Sequence, residues 1–166
     1  LSGQRVDYQG QFFKLNGFKL HVQGVRPNIP IYVAALGPQN VRLTGELADG
    51  WLPTYFSLNA WPSFRDVLAQ GASARGRDLA SITIAPVVQT AAVDDVARAR
   101  EAARSRLAFA MGGMGSFYGD MMARSGFADI VDGVRAALKA GDEARATSLV
   151  TDQVLDAFCN VGTPEQ

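Results

Sequence analysis

The stretch Ile29-Pro30-Ile31-Tyr32-Val33-Ala34-Ala35-Leu36-Gly37-Pro38 constrains this chain more than any other. Ile29 to Leu36 is almost continuously apolar, with β-branched and aromatic members. It reads as a strand buried on both faces, the kind found in parallel sheets. Gly37-Pro38 is a turn signal, and Pro38 suits the first turn of a helix. Val41, Thr44, Leu47 and Ala48 then recur at helical spacing. Asp49-Gly50 breaks that helix, and Trp51-Leu52 opens a second short apolar strand. A strand–helix–strand unit of this kind builds a parallel sheet.

Composition narrows what such a sheet can serve. With 166 residues, 48% of them hydrophobic, the chain can bury one core of ordinary size. Lys plus Arg and Asp plus Glu balance at 16 each, which argues against nucleic acid or an anionic membrane as the main partner. No apolar run approaches the roughly 20 residues of a membrane span, and no signal-peptide pattern is read in the sequence. The single cysteine, Cys159, excludes an internal disulfide framework and fits a reducing, cytoplasmic compartment. One Cys and one His make a zinc site from these ligands implausible, so no metal is expected.

In chain order, Val6, Tyr8, Phe12, Phe13, Leu15, Phe18 and Leu20 lie among Gly and Gln, with Gly10 and Asn16-Gly17 as turn signals and Asn-Gly also a hairpin cue. This segment predicts a short β-hairpin. His21, near its end, reads as a surface or packing residue rather than a catalytic one. Asn59 or Ser57 is the expected cap of a helix carrying Pro62 in its first turn and Trp61, Phe64, Leu68 and Ala72 on one face. Ile82 to Ala92 reads as a third buried strand, with a bulge demanded by Pro86. Asp94 or Asp95 caps a long helix to about Met111, broken by Gly112-Gly113-Met114-Gly115. That glycine cluster lacks the Lys-Ser/Thr of a phosphate loop and is read as a helix break. Helices follow over Ser116–Ser125 and from Asp129 to Gly141, with Asp142 and Asp152 as caps of two more. Cys159 reads as a buried small hydrophobe near a helix end.

Gly162-Thr163-Pro164-Glu165 has the composition of a helix start. Together with the absence of an initiator Met, it predicts a single partial domain over 1–166, cut at both ends.

Several segments resemble a known family. "IPIYVAALGP", a short helix and "ELADGWLP" resemble the bacterial luciferase-like flavin and deazaflavin oxidoreductases, and among these the coenzyme F420-dependent oxidoreductases of actinobacteria. "VDYQGQFFKLNGFKL", "SFYGDMMARSGF" and "VGTPEQ" are similar to further segments of the same proteins. The resemblance implies an α/β fold: part of a (β/α)₈ TIM barrel, about strands five to seven with their helices, plus the N-terminal β-hairpin. Family members are single barrels of about twice this length, in line with the usual barrel size of roughly 250 residues or more.

In such a barrel the site lies at the C-terminal ends of the strands. Here those ends are Ala34 to Pro38, Leu52 to Tyr55 and Gln89 to Ala91, and none carries a His, Cys or carboxylate for acid–base work. They offer backbone amides, small side chains and hydroxyls, an inventory suited to holding a cofactor. Ala34 and Ala35 leave room beside the strand end. Leu36, Gly37 and the helix start can present N–H groups to a phosphate. Gly50 admits close approach to the main chain; Trp51 and Leu52 complete the candidate set. Packing and turn formation are the competing explanation for Ala34, Ala35 and Gly50.

The resemblance implies hydride transfer between a small-molecule substrate and bound F420. It implies FMN if the chain instead belongs with the luciferase-like monooxygenases. A non-catalytic barrel fragment acting as an assembly module is the alternative of another class. Exposed strand edges predict a homo-oligomer. No catalytic residue is assigned, because the acid–base residues of the family fall largely outside this chain.

Overall fold

The N-terminal residues alternate as a ribbon requires. In the computed structural model, which describes residues 3–22 and 24–165, β1 (Val6–Gln9) and β2 (Lys14–Phe18) pair antiparallel, with Tyr8 opposite Leu15 and Gln9 opposite Lys14. The hairpin is as expected, and of its two turn signals Gly10 makes the reversal while Asn16-Gly17 does not. The chain reverses at Gly10, whose N–H donates to the Phe13 carbonyl at 2.9 Å. Gly17 instead sits within β2 at φ 61, beside a register shift, and its N–H donates to Asp7 Oδ1 at 2.6 Å. A glycine with positive φ therefore serves a bulge here, not a two-residue turn. This hairpin belongs to the first of two compact units, Leu1–Ile31; the second is Tyr32–Gln166.

The second unit is built from parallel strands and helices. β3 (Tyr32–Val33), β4 (Gly50–Trp51) and β5 (Thr83–Ile84) form one parallel sheet in the order β3-β4-β5. Tyr32 pairs with Gly50, and Gly50 in turn with Thr83. The first two strands are adjacent and parallel, as the strand–helix–strand reading requires. The run Ile29–Leu36 is not buried on both faces, however. Ile29, Ile31 and Tyr32 are exposed, and only Ala35 is fully buried. β3 lies at the end of its sheet, with β4 as its one strand neighbour there.

The third predicted strand is divided. β5 ends at Ile84, and β6 (Gln89–Ala92) resumes beyond Pro86. Between them, Thr54 and Val87 form a single parallel bridge. Val87 and Val88 are exposed, so the run past Pro86 is a break between two strands and not one buried strand with a bulge. β6 pairs in parallel with β7 (Cys159–Gly162), a strand that sequence reasoning left at a helix end. Four residues, Cys-Asn-Val-Gly, carry no alternation that would reveal it. Cys159 is buried as expected, and burial raises its thiol pKa. Thr163 follows β7 outside any helix.

Helices α1 (Pro38–Leu47) and α2 (Trp61–Ala74) pack closely against each other. A Cβ added to Gly45 would strike the Leu68 carbonyl, and one added to Gly71 the Arg42 carbonyl. The two backbones therefore meet where both helices lack side chains. Val41, Thr44 and Ala48 are buried, whereas Leu47, expected on the same stripe, is 62% exposed. Arg77 donates to the Gly45 and Ala48 carbonyls at 3.1 and 2.7 Å, satisfying acceptors that a helix end leaves open. The expected caps Ser57 and Asn59 do not cap α2. Ser57 precedes a short 3₁₀ turn, Leu58–Ala60, and Ala60 stands at the helix start, with Pro in the first turn as predicted.

The remaining helices are α3 (Val96–Gly112), α4 (Phe117–Met122), α5 (Ala128–Lys139), α6 (Glu143–Ser148) and α7 (Asp152–Phe158). Asp95 caps α3 and Asp142 caps α6, each accepting a backbone N–H three residues on. α7 is capped by Thr151, not by Asp152. Asp152 instead pairs with Arg100 and Arg104 of α3, joining the start of α7 to that helix. Leu107, Met111, Met121, Met122, Val131, Val134, Val154 and Leu155 join Trp51 and Leu68 in the core.

Candidate functional site

The C-terminal ends of the parallel strands gather the candidate residues. Ala34 is exposed, Ala35 buried, and Leu36 and Gly37 half-buried at the end of β3. Gly37 is the N-cap of α1 at φ −79 and ψ 147, with no side chain capping the helix. The positive φ that a phosphate-binding glycine can adopt is therefore not used here. A Cβ on Gly37 would meet nothing within 4 Å, so the space in front of it is open. Its carbonyl accepts the Val41 N–H at 3.0 Å, the first bond of the helix. Pro38 has no N–H. Among the described residues, no protein oxygen accepts from the N–H groups of Gly37, Gln39 or Asn40. Unpaired amides at the start of a ten-residue helix form the kind of donor set that takes an anionic oxygen.

Gly50, Trp51 and Leu52 lie alongside on β4, and the structure brings them against the same strand end. Leu52 N–H donates to the Val33 carbonyl at 3.0 Å. The Trp51 ring is fully buried, and its Nε1 donates to the Ala35 carbonyl at 2.8 Å. Phe56, Trp61 and Phe64 surround it, with ring centroids 5.6, 6.5 and 5.0 Å away. Trp51 thus supports the strand end from behind. The room left by the missing side chain of Gly50 is filled by the Tyr32 ring, which makes this glycine a packing requirement.

Arg124, which sequence reasoning missed, and Tyr55, which it placed only at a strand end, lie beside these strands. Arg124 donates from Nη2 to the Leu36 carbonyl at 3.2 Å, across 88 positions of sequence. It sits in the segment Ala123–Phe127, where the chain kinks at Gly126 (φ 101) between α4 and α5. Arg124, Leu36, Pro38, Ser63, Phe64 and Val67 line a cavity of about 160 Å³. Tyr55, just past β4, has φ 50, a conformation costly for an aromatic residue and often found at ligand sites. Its ring packs edge-on against Tyr118 of α4 at 5.1 Å. The segment from α4 through the Gly126 kink therefore touches the strand ends at both Tyr55 and Leu36. No local pattern in the sequence signals this contact.

Comparison with known proteins shows the family and the fold. The family model for luciferase-like monooxygenases matches residues 1–166. The chain belongs to the luciferase-like monooxygenase family. Within it, the chain is 33% identical over 144 residues to a Mycobacterium tuberculosis protein whose name places it, provisionally, among coenzyme F420-dependent oxidoreductases; the match covers 83% of this chain and 42% of that protein. It is 32% identical over 169 aligned positions to the 5,10-methylenetetrahydromethanopterin reductase of Archaeoglobus fulgidus, covering 98% of this chain and 49% of the relative. Among solved structures it matches the coenzyme F420-dependent tetrahydromethanopterin reductase of Methanopyrus kandleri with a TM-score of 0.81 and 26% identity, over 99% of this chain and 47% of the other. The chain thus spans about half the length of these relatives. Its fold is part of the family's α/β barrel, with parallel sheets and no closed barrel among the described residues.

Proposed function

We propose that this chain forms the cofactor-holding part of an oxidoreductase that transfers a hydride to or from coenzyme F420. The observation that carries the reading is the open start of α1. Unpaired amides at Gly37, Gln39 and Asn40 stand at the C-terminal end of β3, in front of a glycine with nothing near its Cβ position. The Mycobacterium tuberculosis relative and the solved Methanopyrus kandleri reductase, both described as F420-dependent, support F420 as the ligand. The cofactor would supply the hydride chemistry, while the protein supplies position and electrostatics.

In this reading the amides of Gly37 and the first turn of α1 receive the cofactor's phosphate. Ala34, exposed beside them, leaves room for the bulk of the cofactor, and buried Ala35, tied to Trp51, keeps the strand end from shifting. None of these residues moves a proton, so the reading assigns them binding and orientation only. Isothermal titration of the protein with F420 and with FMN tests it. Saturable binding of F420, tighter than that of FMN, is expected. Preferential binding of FMN would move the protein to the flavin-dependent monooxygenases, and binding of neither would favour a non-catalytic assembly role.

A further inference from the structure

We infer that Arg124 is a positioning residue for the cofactor phosphate, acting through the Leu36–Gly37 peptide and not by touching the anion. This inference rests on the function proposed above. Among the described residues no peptide bond is cis, so the Leu36 carbonyl and the Gly37 N–H belong to one trans, planar unit and point in opposite directions. Whatever fixes the carbonyl fixes the N–H. Arg124 Nη2 holds that carbonyl at 3.2 Å. The Gly37 N–H is thereby aimed away from Arg124, toward the side where it has no protein partner.

Other features give this bond its purpose. A Cβ on Gly37 would meet nothing within 4 Å and no side chain caps the helix there, so on the Leu36–Gly37 peptide itself Arg124 is the side chain that bonds. Pro38 contributes no donor, which makes the Gly37 N–H the first amide an approaching anion meets. Arg124 itself has no carboxylate within salt-bridge distance among the described residues. It is carried on a turn stabilised by a positive-φ glycine, Gly126, and anchored by the Tyr118–Tyr55 contact one helix earlier.

The test uses the protein as the gene encodes it, with Arg124→Met and Arg124→Lys. Met keeps the length without a donor, and Lys restores one. Arg124 is exposed, and circular dichroism verifies that both variants fold. Titrations use F420 and the same deazaflavin lacking its phosphate. Arg124→Met should weaken F420 binding by roughly 10- to 100-fold, the scale of one misdirected hydrogen bond to a charged group. Binding of the phosphate-free compound should not change, and Arg124→Lys should recover most of the loss. In the ligand-free, glycine-labelled protein the Gly37 amide resonance should move in Arg124→Met and return with Arg124→Lys. An unmoved Gly37 resonance, an unchanged F420 affinity, or equal losses for both compounds would each overturn the positioning role while leaving F420 binding intact. Failure of the parent protein to bind F420 would overturn the proposed function and this inference with it.

Discussion

The indole N–H of Trp51 donates to the carbonyl oxygen of Ala35 at 2.8 Å, joining the two strand ends that frame the candidate site. Both residues are buried. Trp51→Phe would leave the Ala35 carbonyl without its donor and open space among Phe56, Trp61 and Phe64. An unsatisfied buried acceptor costs about 1–3 kcal/mol, and lost ring volume adds to it. Urea denaturation should show a loss of about 2–4 kcal/mol. A stability within experimental error of the parent would show that the bond contributes nothing.

A second expectation concerns the crossing of α1 and α2. Gly45→Ala and Gly71→Ala each force a methyl group into a facing carbonyl. Neither contact can be relieved by a rotamer change, because the obstacle is backbone. Overpacking of this kind costs about 1–3 kcal/mol, and thermal denaturation should report it. The shift should also move the start of α1, so cofactor affinity should fall together with stability. Both variants behaving like the parent would mean that the helices separate freely.

The βαβ unit was legible because its period changes within a few residues, from the apolar run before Gly37 to the 3.6-residue spacing of Val41, Thr44 and Ala48. The caps Asp95 and Asp142 were legible for the same local reason. What the sequence hid depends on distant partners. β7 is a strand because it pairs with β6, and Asn16-Gly17 is a bulge because Asp7 lies opposite. Arg124 acts on Leu36 from 88 positions away. Burial was overstated at Ile29, Ile31 and Leu47, since hydrophobicity does not tell whether another layer covers a residue.

Gly37 gives a cleaner separation of folding from binding. Its φ of −79 suits any residue, and a Cβ there meets nothing within 4 Å. Gly37→Ala and Gly37→Val should therefore change stability by less than about 0.5 kcal/mol. Gly37→Val should nonetheless obstruct the anion and weaken F420 binding by about 1–3 kcal/mol, whereas Gln39→Ala should matter much less. Fluorescence titration measures the affinities. A folded Gly37→Val protein that binds as tightly as the parent would put the phosphate elsewhere.

Acid should loosen two ion-paired junctions. The Arg135 guanidinium, hydrogen-bonded to Asp120 at 2.6 Å, holds that carboxyl below its usual range, and Arg100 and Arg104 do the same for Asp152. A carboxyl with a lowered folded-state pKa contributes stability above its unfolded value, near pH 4, and loses it as pH falls through the folded value. Denaturation midpoints should thus decline below about pH 4. The decline should be shallower in Asp120→Asn, which has already lost this contribution. Identical pH profiles would show that the pair is energetically idle.

Self-association is expected as well. β3 has β4 as its one strand neighbour in the sheet, and Leu43 and Leu47 project from α1 with 49% and 62% of their surface exposed. An open strand end of a sheet beside an apolar helix face favours a second copy. Light scattering across a concentration series should give a mass above that of the monomer; a constant monomer mass would contradict the expectation.

The central claim is that backbone amides at the start of α1 receive the cofactor phosphate. Amide NMR of the protein during titration with F420 tests it most directly. The account predicts that the Gly37, Gln39 and Asn40 resonances shift progressively to saturation, and that the phosphate-free deazaflavin leaves them nearly in place. F420 binding that saturates while all three amides stay unmoved would contradict the account.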